Sequence, residues 1–132
     1  MTKTEIYQLP QWEATDRVLR EDFNEAFAQV EASIPRIAAG TYVGTGAYKT
    51  SYTELNVGFA PKLILIFSAD GARFIWALHG ASAAKVAHSN TSGYSCSLTW
   101  TETGLKWRNT GADSADDQLN EKNETYHWFA LG

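Results

Sequence analysis

Three histidines, one cysteine and fifteen carboxylates are the side chains in this sequence suited to acid–base, nucleophilic or metal chemistry. His79, His88 and His127 include no pair at the i, i+4 spacing that turns two imidazoles toward one metal on a helix. His127 stands between Tyr126 and Trp128 and reads as a structural or subunit-facing residue; in a trimer, three copies of it could meet on the axis around an ion. Asp113, Asp116 and Asp117 cluster, but not at the spacing of a calcium loop, so they read as a solvated loop. A glycosidase needs two opposed acids, and nothing nominates a pair. Gly40, Gly44 and Gly46 follow a helical segment instead of opening one, so they read as turn glycines and not as a phosphate cradle. Cys96 is alone, which excludes an internal disulfide. It alternates with Tyr94, Leu98 and Trp100, the pattern of a small buried hydrophobe in a strand. The expectation is a protein without catalytic residues, metal or cofactor.

Binding chemistry is better represented. Aromatic residues make up 13% of the chain, with five tryptophans. A tryptophan face stacks on sugar rings or on a partner's side chains, and nearby amides and hydroxyls add hydrogen bonds. The candidate binding residues are Trp76, His79, His88, Asn90, Thr91 and Trp107. Trp76 and Trp100 are read first as core fillers and second as stacking faces. Trp107, between Lys106 and Arg108, suits a core or a subunit interface equally. The segment 87–93 reads as a contact loop, since loops on a rigid scaffold commonly carry function.

The elements that must position these residues follow from length and pattern. A chain of 132 residues makes one domain, with room for an appendage. The net charge of −4 leaves no basic stripe for nucleic acid or an anionic membrane. No apolar run approaches the roughly 18 residues of a membrane span, and no signal pattern opens the chain. Residues 1–14 read as an extended arm that lies against its own domain or a neighbouring subunit. A helix is expected from Asp16 to Ser33, capped by Thr15 or Asp16 and stopped by Pro35. Leu19, Phe23, Ala26, Phe27 and Val30 form its apolar seam, read as the contact of a short trimeric bundle; an amphipathic helix packed on its own domain is the alternative.

Beyond Pro35 the period changes to that of strands. Leu63-Ile64-Leu65-Ile66-Phe67 is the longest apolar run and reads as a central strand covered on both faces. Segments 40–46, 51–57, 72–78, 94–101, 105–108 and 126–131 are further strands, with 105–108 the hairpin partner of 94–101. Residues 81–88 are ambiguous, Asn90-Thr91-Ser92-Gly93 reads as a turn, and Gly111–Asp117 as a polar, flexible loop. The fold class is mainly β: an antiparallel, jelly-roll-like sandwich over residues 36–132, preceded by one helix in residues 1–35.

Three stretches carry a family resemblance. They are Gly40-Thr41-Tyr42-Val43-Gly44-Thr45-Gly46; Leu55-Asn56-Val57-Gly58-Phe59-Ala60-Pro61-Lys62 before the apolar strand; and Leu119-Asn120 followed by Thr125-Tyr126-His127-Trp128-Phe129-Ala130-Leu131-Gly132. They resemble the opening, the turn into the central strand and the close of the C-terminal tip domains of bacteriophage tail-fibre and minor tail proteins. Leu9-Pro10-Gln11-Trp12-Glu13-Ala14-Thr15-Asp16 and the following helix are similar to segments that precede such tips in prophages of Gram-positive bacteria. The resemblance implies a homotrimer in the virion tail, made in the host cytoplasm and joined to other tail proteins. It also implies adhesion, without catalysis, to a bacterial surface glycan or protein. The alternatives are a monomeric lectin-like carbohydrate-binding module and, behind it, a small glycan-degrading enzyme. Placing an unpaired charge in the seam, by Phe23→Asp or Val30→Asp, is expected to weaken the trimer. Light scattering checks this, and an unchanged mass after either change counts against the seam.

Overall fold

Over the residues that the computed structural model describes, 1–88 and 95–132, the chain is mainly β, with antiparallel sheets and one α-helix. It divides into two units, Met1–Pro35 and Arg36–Gly132. In the first, the expected extended arm is instead a hairpin: β1 (Thr2–Lys3) pairs antiparallel with β2 (Pro10–Gln11). Thr4 closes it. Its backbone N–H donates to the Leu9 carbonyl at 2.8 Å, and its hydroxyl accepts from the Leu9 N–H at 2.9 Å.

The helix, α1, spans Arg20–Ser33 and so begins later than the expected Asp16. The physical reason is that Asp16 is engaged elsewhere. Its carboxylate accepts from the Glu13 N–H at 2.8 Å, and its own N–H donates to the Glu13 carbonyl, which makes a tight turn. Asp22 takes over at the helix start by accepting from the Leu19 N–H at 3.2 Å. At the other end Ile34 is extended, with φ −79° and ψ 118°, as the residue before a proline prefers.

The second unit holds β3 (Ile37–Val43), β4 (Thr53–Asn56), β5 (Leu63–Ser68), β6 (Arg73–Leu78), β7 (Ala83–Lys85), β8 (Ala87–His88), β9 (Ser95–Trp100), β10 (Gly104–Arg108) and β11 (Thr125–Leu131). One sheet has the order β3-β11-β5-β6-β8 and the other β4-β10-β9-β7. The ambiguous segment 81–88 proves to be two short strands, one in each sheet, with the buried Val86 where the chain changes sheets. Asp70-Gly71 makes the β5–β6 turn. Gly71 takes φ +71°, and the Asp70 carboxylate accepts from the Ser68 hydroxyl and the Ala72 N–H.

Strand alternation sorts the side chains onto faces. Ile64, Ile66, Ile75, Tyr126 and Ala130 from one sheet share a single apolar core with Leu55, Cys96, Leu98, Leu105 and Trp107 from the other. The outward face of the four-stranded sheet is polar: Glu54, Asn56, Ser97 and Thr99 are exposed. On that face Lys106 reaches Glu54 at 3.7 Å, and the Arg108 guanidinium lies 4.5 Å from the centre of the Tyr52 ring.

The five-stranded sheet has a different outward face. By register, Ile37, Leu131, Leu63 and Leu78 form one row across it, and Ala39, Phe129, Leu65 and Trp76 the next. Thr41, His127, Phe67 and Phe74 form a third, in which the two phenylalanine rings stack at 5.7 Å. The expectation that β5 is covered on both faces is therefore met on one side only. Ile64 and Ile66 are buried, whereas Leu63 and Leu65 are half-buried and Phe67 is 40% exposed.

The flexible polar loop expected over Gly111–Asp117 is also corrected. Asn109, Ala112, Ala115, Asp117, Gln118, Leu119 and Asn120 are buried, with a 3-10 turn at Ala115–Gln118. The polar side chains turn inward because backbone groups await them. The Gln118 amide donates to the Ser51 carbonyl at 2.8 Å and the Thr53 hydroxyl at 2.9 Å, and its oxygen accepts from the Asn109 N–H at 2.9 Å. The Asn120 amide donates to Thr45 Oγ1 and to the Ala47 carbonyl, and Tyr42 donates its hydroxyl to the Leu119 carbonyl. Gly44 closes against the same segment. Its N–H donates to the Glu124 carbonyl at 2.8 Å, and a Cβ there would overlap the Glu121 carbonyl oxygen. Gly44→Ala is accordingly expected to lower the unfolding free energy by about 1–3 kcal/mol, the usual cost of overpacking. Urea denaturation measures this, and a shift below a few tenths would contradict the close approach.

Candidate interaction surfaces

The first unit is built without a core: none of its residues, Met1 to Pro35, is buried. Of the seam residues, Leu19 is 42% exposed, Phe23 46% and Phe27 69%, while Ala26 and Val30 are half-buried. The hairpin accounts for part of the cover. Trp12 lies on Phe23 with ring centres 5.1 Å apart, and Tyr7, Leu9, Val30, Ile34 and Pro35 line a groove of about 310 Å³. Leu19 and Phe27 stay largely open. The seam is thus a mixed surface, partly occupied by the arm of the same chain and partly free.

The candidate binding residues separate in the second unit. Trp76 is not a core filler: it points outward from β6 and is 57% exposed, because Ile75 and Ala77 on either side take the inward positions. Trp107 is no contact residue. It is fully buried, and its indole N–H donates to the Gln118 carbonyl at 2.8 Å. Trp100 lies between these extremes. It is half-buried, donates to the Ala81 carbonyl at 2.9 Å, and has the exposed His79 ring 5.1 Å from its own, tilted by 55°. His79 is held there by its backbone N–H, which donates to the Lys62 carbonyl at 2.8 Å. A groove of about 370 Å³ lies beside this pair, lined by Trp76, Leu78, Ala81, Ala83, Ala84 and Lys85. Asn90 and Thr91, and the turn and strand start read at 90–94, lie outside the described residues, as does the His88 side chain. The outward residues Ile37, Phe67 and Phe129 were not singled out by sequence reasoning. Their signal was the unbroken apolar run in β5 and its match in β11, where polar residues should alternate on a solvated face.

The titratable groups are mostly used structurally. Asp117 accepts from the Asp113 and Ser114 N–H groups at 3.0 and 3.2 Å, and Asp116 pairs with Arg73. His127 is exposed on the outward face of β11. Among the described residues, no three His, Cys, Asp or Glu side chains are grouped to hold a metal ion, and no helix is long and apolar enough to cross a membrane. No family model, curated protein or solved structure matches the chain.

Cys96 is fully buried, and burial pushes its thiol up to about 12 from the ordinary 9.0, with the Asp117 charge adding to the effect. A thiol so raised is a poor nucleophile at neutral pH. Linkage fixes the sign of its effect on stability. The folded state disfavours the thiolate, so the contribution is complete below pH 9.0 and declines as pH rises toward about 12. The stability difference between the wild type and Cys96→Ala is therefore expected to shrink with increasing pH above 9. Denaturation measured across that range checks it, and a difference independent of pH would contradict the buried thiol.

Proposed function

We propose that this protein is the tip of a phage or prophage tail fibre: a homotrimer that adheres, without catalysis, to a glycan or protein on a bacterial surface. One observation carries the oligomer. A 35-residue unit in which nothing is buried has no means of its own to offset the entropy of folding. Units of that size usually rely on disulfides, metals or association. The only cysteine is Cys96, in the other unit, so no disulfide can staple the arm. A helix of 14 residues is marginal alone in water. Association through Leu19, Phe23 and Phe27 supplies the missing burial. The fold reading is that of a β-sandwich with jelly-roll character. It is supported by two antiparallel sheets whose inward side chains form a common core.

The receptor contact is assigned to the end of the β domain around the turn after β6, where the exposed His79 ring lies 5.1 Å from the Trp100 ring. An exposed imidazole beside a half-buried indole suits a sugar ring or an extended peptide. Three copies on one fibre would turn a weak single contact into firm adhesion through effective concentration. The same platform would serve a monomeric lectin-like module, so avidity is the property to test. The labelled 132-residue chain is expected to stay on Gram-positive cell walls through washing. His79→Ala should weaken each contact, and Phe23→Asp should lower retention by roughly a hundredfold through lost avidity. Equal retention of Phe23→Asp and wild type would favour the monomeric module, and no retention on a panel of cell walls would contradict adhesion.

A further inference from the structure

We propose that the outward face of the five-stranded sheet is a second self-association surface, turned toward the same face of the other copies around the axis of the assembly, beyond the contact made by the helices. On a sheet with one solvated side, polar residues alternate with apolar ones, as they do on the four-stranded sheet of this same unit. Here the alternation fails on one sheet only. Six outward residues, Ile37, Val43, Phe67, Trp76, Leu78 and Phe129, are 37–62% exposed. At roughly 150–250 Å² for a whole aromatic side chain, Phe67, Trp76 and Phe129 leave about 200–340 Å², and Ile37, Val43 and Leu78, all more than half exposed, add a comparable apolar area. Counting the half-buried leucines between them, the face approaches the ~800 Å² per partner of a stable complex and exceeds the usual largest patch of a monomer.

Charge selects the occupant. Copies with a net charge of −4 repel one another, yet the outward positions of β3, β11, β5 and β6 include no Asp, Glu, Lys or Arg. Two copies of this face therefore meet without like-charge conflict, whereas a charged partner would find nothing to pair with. Chain connectivity adds to this. Only Ile34, Pro35 and Arg36 separate the end of α1 at Ser33 from the start of β3 at Ile37. At about 3.3–3.6 Å per residue, copies joined by their helices hold their β domains on short tethers, which raises the effective concentration of one face for another. Trp76 is accordingly assigned to the interface between copies, and the receptor contact is left to the His79 end.

Hydroxyl-radical footprinting of the full chain, above and below its dissociation concentration, tests the proposal. Phe67, Trp76 and Phe129 are expected to lose most of their labelling in the assembled species and to label freely in the 14.6 kDa monomer. The outward double variant Phe67→Glu/Phe129→Glu should keep its circular dichroism and melting behaviour as a monomer. It should raise the dissociation constant at least about a hundredfold, because carboxylates would be buried unpaired. Free labelling of the three residues in the assembled species overturns the proposal. So does their protection in the monomer, which would mean that the chain's own arm covers the face. A wild-type chain that stays monomeric at all concentrations also overturns it. The helix reading stands apart: an assembly of other than three chains would sink the trimer, while protection of this face would still support the present assignment.

Discussion

Strand β5 carries apolar side chains on both of its faces, and a single chain provides a core for only one of them. Ile64 and Ile66 are buried in the core to which both sheets contribute. Leu63, Leu65 and Phe67 look the other way, toward a face continued by β3, β11 and β6. Burying apolar surface is the main favourable term in folding and in association alike. A strand of this composition therefore joins the two processes. Its inner half builds the domain, and its outer half makes a surface that water does not favour. The first unit repeats the condition on a smaller scale, with Phe23 and Phe27 exposed along its helix.

A buried polar segment adds to the apolar core that the two sheets share. The segment from Asn109 to Asn120 enters the interior and exchanges its backbone and amide groups with β4, β10 and the turn after β3. Gln118 is the hub: it is fully buried, bonded to Ser51, Thr53 and Asn109, and it offers its carbonyl to Trp107. Each of these groups would be costly if left unpaired away from water. The cluster consequently specifies one arrangement of the chain more sharply than apolar packing does. It also explains why Trp107, flanked by two cations in sequence, is a structural residue: its indole has a buried acceptor and its neighbours Lys106 and Arg108 reach outward.

Much of the fold could be read from the sequence. The apolar run at 63–67, the alternation over 94–101 and the closing run over 126–131 mark the strands β5, β9 and β11, because period-two burial leaves a strong pattern. The stop at Pro35 was equally plain. Misreadings arose where local chemistry had two uses. Asp16 suits a helix cap and also a tight turn, and the turn won. The acids and amides of 111–120 look solvated unless it is known that unpaired backbone groups lie within their reach. Trp76 sits in an alternating strand whose two faces are both apolar, so pattern alone did not say which face was inward. The candidate site was less legible than the fold, since contact residues on a passive surface need no fixed spacing. The apolar outward face emerged only when register set Phe129 beside Leu65 and Trp76.

The proposed adhesive tip would bring these features together. A coreless arm, an apolar sheet face and a polar sheet face on one chain suit a subunit that is complete only in an assembly and that meets its target at one end. The most direct measurement is the mass of the full chain in solution, by sedimentation equilibrium over a wide concentration range. The account predicts a single association to three times 14.6 kDa. A 14.6 kDa species that persists at every concentration, with a cooperatively folded arm, would contradict it.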